Sequence, residues 1–148
     1  MSLNILEPVM RTYDPENVFA KILRRELPAH IVYQDAHTLA IMDIMPRAPG
    51  HCLVIPKTPA RNILDITEKS LVAVTKSLRK VSIAVQRAFN ADGLTIHQFN
   101  EDAGGQVVFH LHFHIIPRYL GEPLMQSPVE MAELEELRDN AARIRAAF

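Results

Sequence analysis

His110-Leu111-His112-Phe113-His114-Ile115-Ile116-Pro117 alternates titratable and apolar side chains. A period of two residues is that of a strand with one face in a core. Leu111, Phe113 and Ile115 are expected to enter that core, and the three histidines to share the opposite face. Successive rings then stand roughly 6.6 Å apart, from a rise of about 3.3 Å per residue. An imidazole row at that spacing can line a phosphate chain, hold a metal, or set a nucleophile beside an acid.

Outward from the row, the chain reads as an α+β domain. The histidine strand is expected over Val107 to Ile116, after a loop from Asn100 to Gly105. Within that loop, Gly104-Gly105 lets the backbone approach an anion closely. Leu94 to Phe99 is a strand. Upstream of it, Leu71, Val74, Leu78, Val81, Val85 and Phe89 recur at three- and four-residue steps, the stripe of one long helix. Asp65-Ile66-Thr67-Glu68 offers that helix a capping box with Asp65 as cap, and Asn90-Ala91-Asp92-Gly93 stops it. His51 to Pro56 is apolar enough for a strand buried on both faces. Ile31-Val32-Tyr33 and Leu39 to Met42 read as two further strands around a polar turn. A short helix is expected from Asn17 to Glu26, and a last one opening at Ser127-Pro128-Val129-Glu130. The expected architecture is an antiparallel sheet of about five strands with a long helix packed on it and short helices at both ends. One domain is expected over 1–148: an extension (1–13), a core (14–117), and a tail with a helix (118–148).

Composition narrows the partners. A formal net charge of -1 gives no global attraction to nucleic acid or to a membrane surface, so any anion site must be local. Cys52 is the single cysteine, which excludes an internal disulfide and a multi-cysteine zinc module. No long apolar run and no signal-peptide pattern occur, and a cytoplasmic protein is expected.

Three readings of the histidine row compete. It can be a polar, solvated sheet face. It can grip zinc through two histidines at i and i+2, with His51 as a third ligand, although no acidic or cysteine ligand stands beside it in sequence. Or it can be a transfer site, one neutral imidazole attacking and another serving as acid or phosphate donor.

The row, preceded by Gly105-Gln106-Val107-Val108-Phe109, resembles the signature of the histidine triad (HIT) family of nucleotide hydrolases and transferases. The segment from Asp43 through Pro46, Gly50 and His51 to Lys57 resembles the family's second stretch, and Gln98-Phe99-Asn100 is similar to the part carrying its phosphate-side asparagine. The likeness runs from about Asn17 to Pro117, and the ending Ile116-Pro117-Arg118-Tyr119 looks like the bacterial-type members. It implies that His112 attacks the α-phosphorus of a purine nucleotide substrate and forms a nucleotidyl-histidine. It implies that His114 serves the phosphate and leaving group, and that His110 and His51 orient the row. Asp43 would accept from the ribose hydroxyls, with Ile44 near sugar and base. Asn100, Gln106 and the backbone at Gly105 and Val107 would line the phosphate. The implied activity is hydrolysis of nucleoside phosphoramidates or related conjugates. The alternatives are hydrolysis of dinucleoside polyphosphates, or a regulatory nucleotide-binding module. No cofactor is implied, and a homodimer is.

Three positions depart from the family pattern. Many bacterial-type members bind structural zinc through a cysteine pair near the N-terminus, where this chain has Asn17 and Ala20, so no metal is expected. Val107 stands where a serine or threonine hydroxyl often reaches the scissile phosphate, so slower turnover or altered leaving-group preference is expected. Glu101 and Asp102 put acids where the loop often has glycine or neutral residues, which suggests selection for an amine leaving group.

Overall fold

The computed structural model describes residues 11–148, so residues 1–10 of the expected N-terminal extension lie outside the described part. Five strands form one sheet: β1 (Ile31–Gln34), β2 (Thr38–Met42), β3 (Cys52–Pro56), β4 (Gly93–His97) and β5 (Phe113–Arg118). Their order is β1-β2-β3-β5-β4 and every pair is antiparallel. The α+β architecture expected from the sequence is the one formed.

Alternation along the strands builds two different faces. Ala40, Met42, Cys52, Val54, Phe113 and Ile115 pack under helices α2 (Glu68–Phe89) and α3 (Leu134–Arg145). Leu39, Ile41, Leu53 and Ile55 face the other way, against α1 (Val18–Leu23). All five residues of β3 are buried, as a central strand covered on both faces requires. From α2, Val74, Val81, Val85 and Phe89 enter the core. Each such side chain contributes about 1.5–3 kcal/mol when fully buried. Among the described residues no helix is long and apolar enough to cross a membrane.

Asp35 ties the β1–β2 turn to α2. Its carboxylate accepts from the Tyr33 hydroxyl at 2.7 Å, the Ser77 hydroxyl at 2.9 Å, and the His37 and Thr38 amides. Burial opposes ionisation there, but these donors win and hold Asp35 at about 2.

Strands β1 to β4 differ from the sequence expectation by one or two residues at an end, and four larger differences each have a local reason. Helix α1 ends at Leu23, because Arg25 takes a left-handed φ of 61°. Thr67, not Asp65, caps α2 by accepting from the Ser70 amide; Asp65 instead accepts from the Arg61 and Asn62 amides of the preceding turn. Strand β5 begins at Phe113 rather than Val107. Its neighbour β3 ends at Pro56, which has no N–H to donate, and the Leu111 amide turns to the Ala60 carbonyl at 2.8 Å instead. Helix α3 begins at Leu134, not near Ser127. The segment before it is drawn to the β2–β3 loop, where the Ala132 amide donates to the Ile44 carbonyl at 3.0 Å.

Candidate active site

Strand register brings the site together. Met42 pairs with Cys52, so Asp43 and His51 sit opposite each other where the β2–β3 loop begins and ends, and the Asp43 amide donates to the His51 carbonyl. Leu53 pairs with His114, which places His51 two residues along the same face and diagonal to that ring. Gly50 makes this possible. It holds φ at +92°, and a Cβ there would lie 2.6 Å from two ring carbons of Phe89.

Hydrogen bonds fix the tautomers of His110, His112, His51 and His114. His110 has both nitrogens occupied: Nδ1 by the Tyr13 hydroxyl at 2.5 Å, Nε2 by the Pro56 carbonyl at 2.8 Å. A carbonyl only accepts, so His110 carries its proton on Nε2. His112 Nδ1 lies 2.7 Å from the His110 carbonyl and must be the protonated nitrogen. Its Nε2 is left with a lone pair and has no partner among the described residues. His51 Nδ1 accepts from the Arg47 amide at 3.0 Å, so Nε2 holds the His51 proton. That proton goes to His114 Nδ1 at 2.9 Å, which leaves His114 protonated on Nε2. Adjacent rings, centroids 5.0 Å apart, therefore show opposite chemistry: a lone pair on His112 and an N–H on His114.

Burial sets the charge. It lowers His112 and His51 to about 4 and His114 to about 3, with neighbouring imidazoles and Arg47 adding to the last. All three are neutral at pH 7. Burial also raises Asp43 to about 6, against the Met45 amide that donates to it at 2.8 Å.

Both working rings open on a cavity of about 710 Å³. Its apolar end is formed by Phe19, Ile22, Leu27, Ile41 and Leu53, and the Phe19 ring stands edge-on to His112 at 4.8 Å. Asp43, Ile44, Arg47, His51, Gly105 and Val107 line it as well. Ser127, Pro128, Met131 and Leu134 complete the wall beside Ile44.

Not every expected residue reaches this cavity. Gln106 is buried and saturated, accepting from the Glu101 amide and Asn62 and donating to the Arg61 and Val108 carbonyls. Asn100 accepts from the Ile63 amide and exchanges hydrogen bonds with Gln98. Both shape the loop rather than the cavity wall. Gly105 lines the wall, but its amide donates to the Asp102 carbonyl. The Val107 amide has no partner among the described residues and stays available to an anion. Glu101 corrects the expectation of an acidic loop. Arg61 grips it from Nε at 2.8 Å and from a terminal nitrogen at 2.9 Å, and it does not line the cavity. Missed in the sequence were Arg47, the Pro128–Met131 wall and His97. Thr95 and His97 alternate along β4 with Leu94 and Ile96, but only the β4–β5 register puts His97 opposite His114.

Among the described residues the donor set does not suit a metal. Ala20 has no ligand atom, and the Asn17 side chain caps α1 at the Ala20 amide. His110 has no free nitrogen. Folding does supply the acid missing beside the histidines in sequence, because ligand atoms of Asp43, His51 and His114 lie within 4.8 Å of one another. Yet His51 Nε2 carries a proton as long as Nδ1 accepts from the Arg47 amide, so it offers no lone pair.

A HIT domain family model matches residues 24–121. The chain belongs to the HIT family, whose members are in general nucleotide hydrolases and transferases. It is 36% identical over 110 residues to the purine nucleoside phosphoramidase of Escherichia coli K12, covering 74% of this chain and 90% of that one. Among solved structures, a HIT-like protein of Bartonella henselae involved in cell-cycle regulation is similar at TM-score 0.89 and 49% identity, over 93% of this chain and 100% of that one. A zinc-bound histidine triad protein of Mycobacterium smegmatis is similar at TM-score 0.78 and 30% identity, over 89% and 92%.

Proposed function

We propose that the protein hydrolyses purine nucleoside phosphoramidates or related nucleotidyl conjugates at the α-phosphorus. The observation that carries this reading is the pair of opposite tautomers. His112 Nε2 attacks phosphorus and forms a phosphorus–nitrogen bond; the bond to the leaving group breaks while His114 Nε2–H donates a hydrogen bond to the departing atom, and the leaving group takes its proton from solvent. Water then attacks the nucleotidyl-histidine, loses a proton to solvent, and the phosphorus–nitrogen bond breaks to release the nucleoside monophosphate and restore His112. His51 holds His114 in the donor tautomer, and the Val107 amide contributes a donor to the phosphoryl oxygens. The apolar end at Phe19 and Ile22 suits a purine, with Asp43 accepting from ribose. A purine nucleoside phosphoramidase among the relatives supports this reading. The test is release of AMP from adenosine 5′-phosphoramidate, set against diadenosine polyphosphate. A clear preference for the polyphosphate would favour the second reading.

Val107 is exposed at the cavity mouth. Val107→Ser adds a hydroxyl beside the leaving group and is expected to raise kcat by roughly three- to tenfold. Unchanged steady-state kinetics would contradict this. The chain is also expected to form a homodimer. Among the described residues strand β4 is an unpaired edge with Ile96 exposed on it, and α2 exposes Val72. Light scattering should give the mass of two chains, and the mass of one would refute it.

A further inference from the structure

Beyond His114, away from the purine end, the cavity carries positive charge that no carboxylate neutralises among the described residues. The order along the sheet is Phe19, His112, His114, His97. Phe19 packs on His112, His114 pairs across the sheet with His97, and Phe99 stands edge-on to both His114 and His97. His97 lines the cavity and its ring nitrogens have no hydrogen-bond partner among the described residues. Arg47 lines the same mouth, and its Nε donates to the Met125 carbonyl at 2.7 Å. Arg118 lies on the same face of β5 as His114 and donates to the Thr95 hydroxyl and the Glu122 carbonyl. Their partners are neutral oxygens, so both guanidinium charges stand uncompensated.

The acids nearby are committed elsewhere. Glu101 is held by Arg61, Asp102 is paired with Arg11 at 3.3 Å, and Asp43 sits on the His51 side of His114. Burial, then Arg47 and Arg118, push His97 below its ordinary range, and no carboxylate acts on it. At pH 7 it is a neutral ring able to turn an N–H toward an oxyanion, backed by two cations.

We infer that His97 and Arg47, with the nearby charge of Arg118 behind the cavity wall, recognise an anionic group, a phosphate or carboxylate, on the part of the substrate that leaves the α-phosphorus. The inference rests on the proposed nucleotidyl transfer only for which end of the substrate lies there. A cationic amine, the leaving group suggested by the acidic loop in sequence, would meet Arg47 and Arg118 unfavourably.

The experiment compares calorimetric binding of AMP and of α,β-methylene-ADP, which places one more phosphate beyond the α-phosphorus and resists cleavage. The full chain is expected to bind the diphosphate analogue about tenfold more tightly, one charge-assisted contact's worth. His97→Ala and, separately, Arg47→Gln should each shrink that ratio by about fivefold, with His97→Gln retaining part of it through its N–H. A ratio near one, or a ratio unmoved in both variants, overturns the inference. A catalytic arm uses two AMP phosphoramidates, of glycine and of ethylenediamine. Higher kcat/KM for the glycine conjugate, with the preference reduced in His97→Ala, supports the site. Hydrolysis without preference removes the anion site and leaves the hydrolase. A kept diphosphate preference without hydrolysis removes the hydrolase and leaves the site. Binding of neither nucleotide overturns both.

Discussion

Replacing His112 with alanine is expected to lower kcat/KM for adenosine 5′-phosphoramidate by about four orders of magnitude or more. The reason is that neither the rest of the row nor His51 can take over. His110 has both nitrogens engaged, by Tyr13 and Pro56. His51 accepts from Arg47 on one nitrogen and donates from the other. His114 accepts on Nδ1 from His51, and its Nε2 carries a proton, so neither nitrogen has a free lone pair. A lone pair facing the cavity is therefore found in this row only on His112. His114→Ala should cost less, because a covalent intermediate can still form and a leaving group of low basicity needs little protonation. The measurement is steady-state release of AMP, with circular dichroism to show that the variant is folded. The His112 ring makes its polar and aromatic interactions with the His110 carbonyl, the edge of Phe19 and the His114 ring, none of which joins two elements of the sheet, so the fold should survive. Turnover within tenfold of the parent would remove His112 as the nucleophile.

Gly50→Ala is expected to have the largest effect on stability of any single-methyl change in the described chain. The added Cβ would lie 2.6 Å from Phe89 Cδ2 and Cε2. Phe89 cannot yield, because it is buried in the core beneath the sheet and its own carbonyl is held by the Tyr119 hydroxyl. The φ of +92° adds strain for any residue with a Cβ. Overpacking and strain together should cost about 2–4 kcal/mol, or roughly 10 °C in Tm. Activity per folded molecule should fall too, since Gly50 positions His51 and through it the tautomer of His114. Gly104→Ala is the comparison, because a Cβ there meets nothing within 4 Å. Equal melting temperatures for the two variants would contradict the account.

Much of the fold was legible because its signals are repetitive. The α2 stripe from Leu71 to Phe89 and the apolar run of β3 each depend on many residues pointing the same way. Boundaries set by one hydrogen bond were not legible. Thr67 and Asp65 are equally good caps in sequence, and only the turn at Arg61 and Asn62 claims Asp65. Likewise Pro56 cuts short the ladder that would have extended β5 back to Val107, and Ile44 draws Ala132 out of the last helix.

The site divides in the same way. His112, His114, Asp43, His51 and Val107 reach one cavity, and the sequence contained all of them; His110 stands behind them. Asn100 and Gln106 look like phosphate ligands in sequence because amides suit phosphates. In the fold their amides are consumed by Ile63, Gln98, Asn62 and neighbouring backbone. Glu101 looked like a charge facing the substrate until Arg61, forty residues away in sequence, was found gripping it. His97 carried no signal of its own, since its place depends on the register of two strands joined through a fifteen-residue connection.

The central claim is that phosphorus becomes bonded to His112 during turnover. The direct measurement is rapid quenching, at alkaline pH, of the protein mixed with excess adenosine 5′-phosphoramidate, followed by intact-mass and peptide mass spectrometry. The account predicts an adduct of one adenylyl group per chain, located on His112 and absent from the His112→Ala variant. Turnover that proceeds with no such adduct at any quench time, or with the adduct on another histidine, would contradict it.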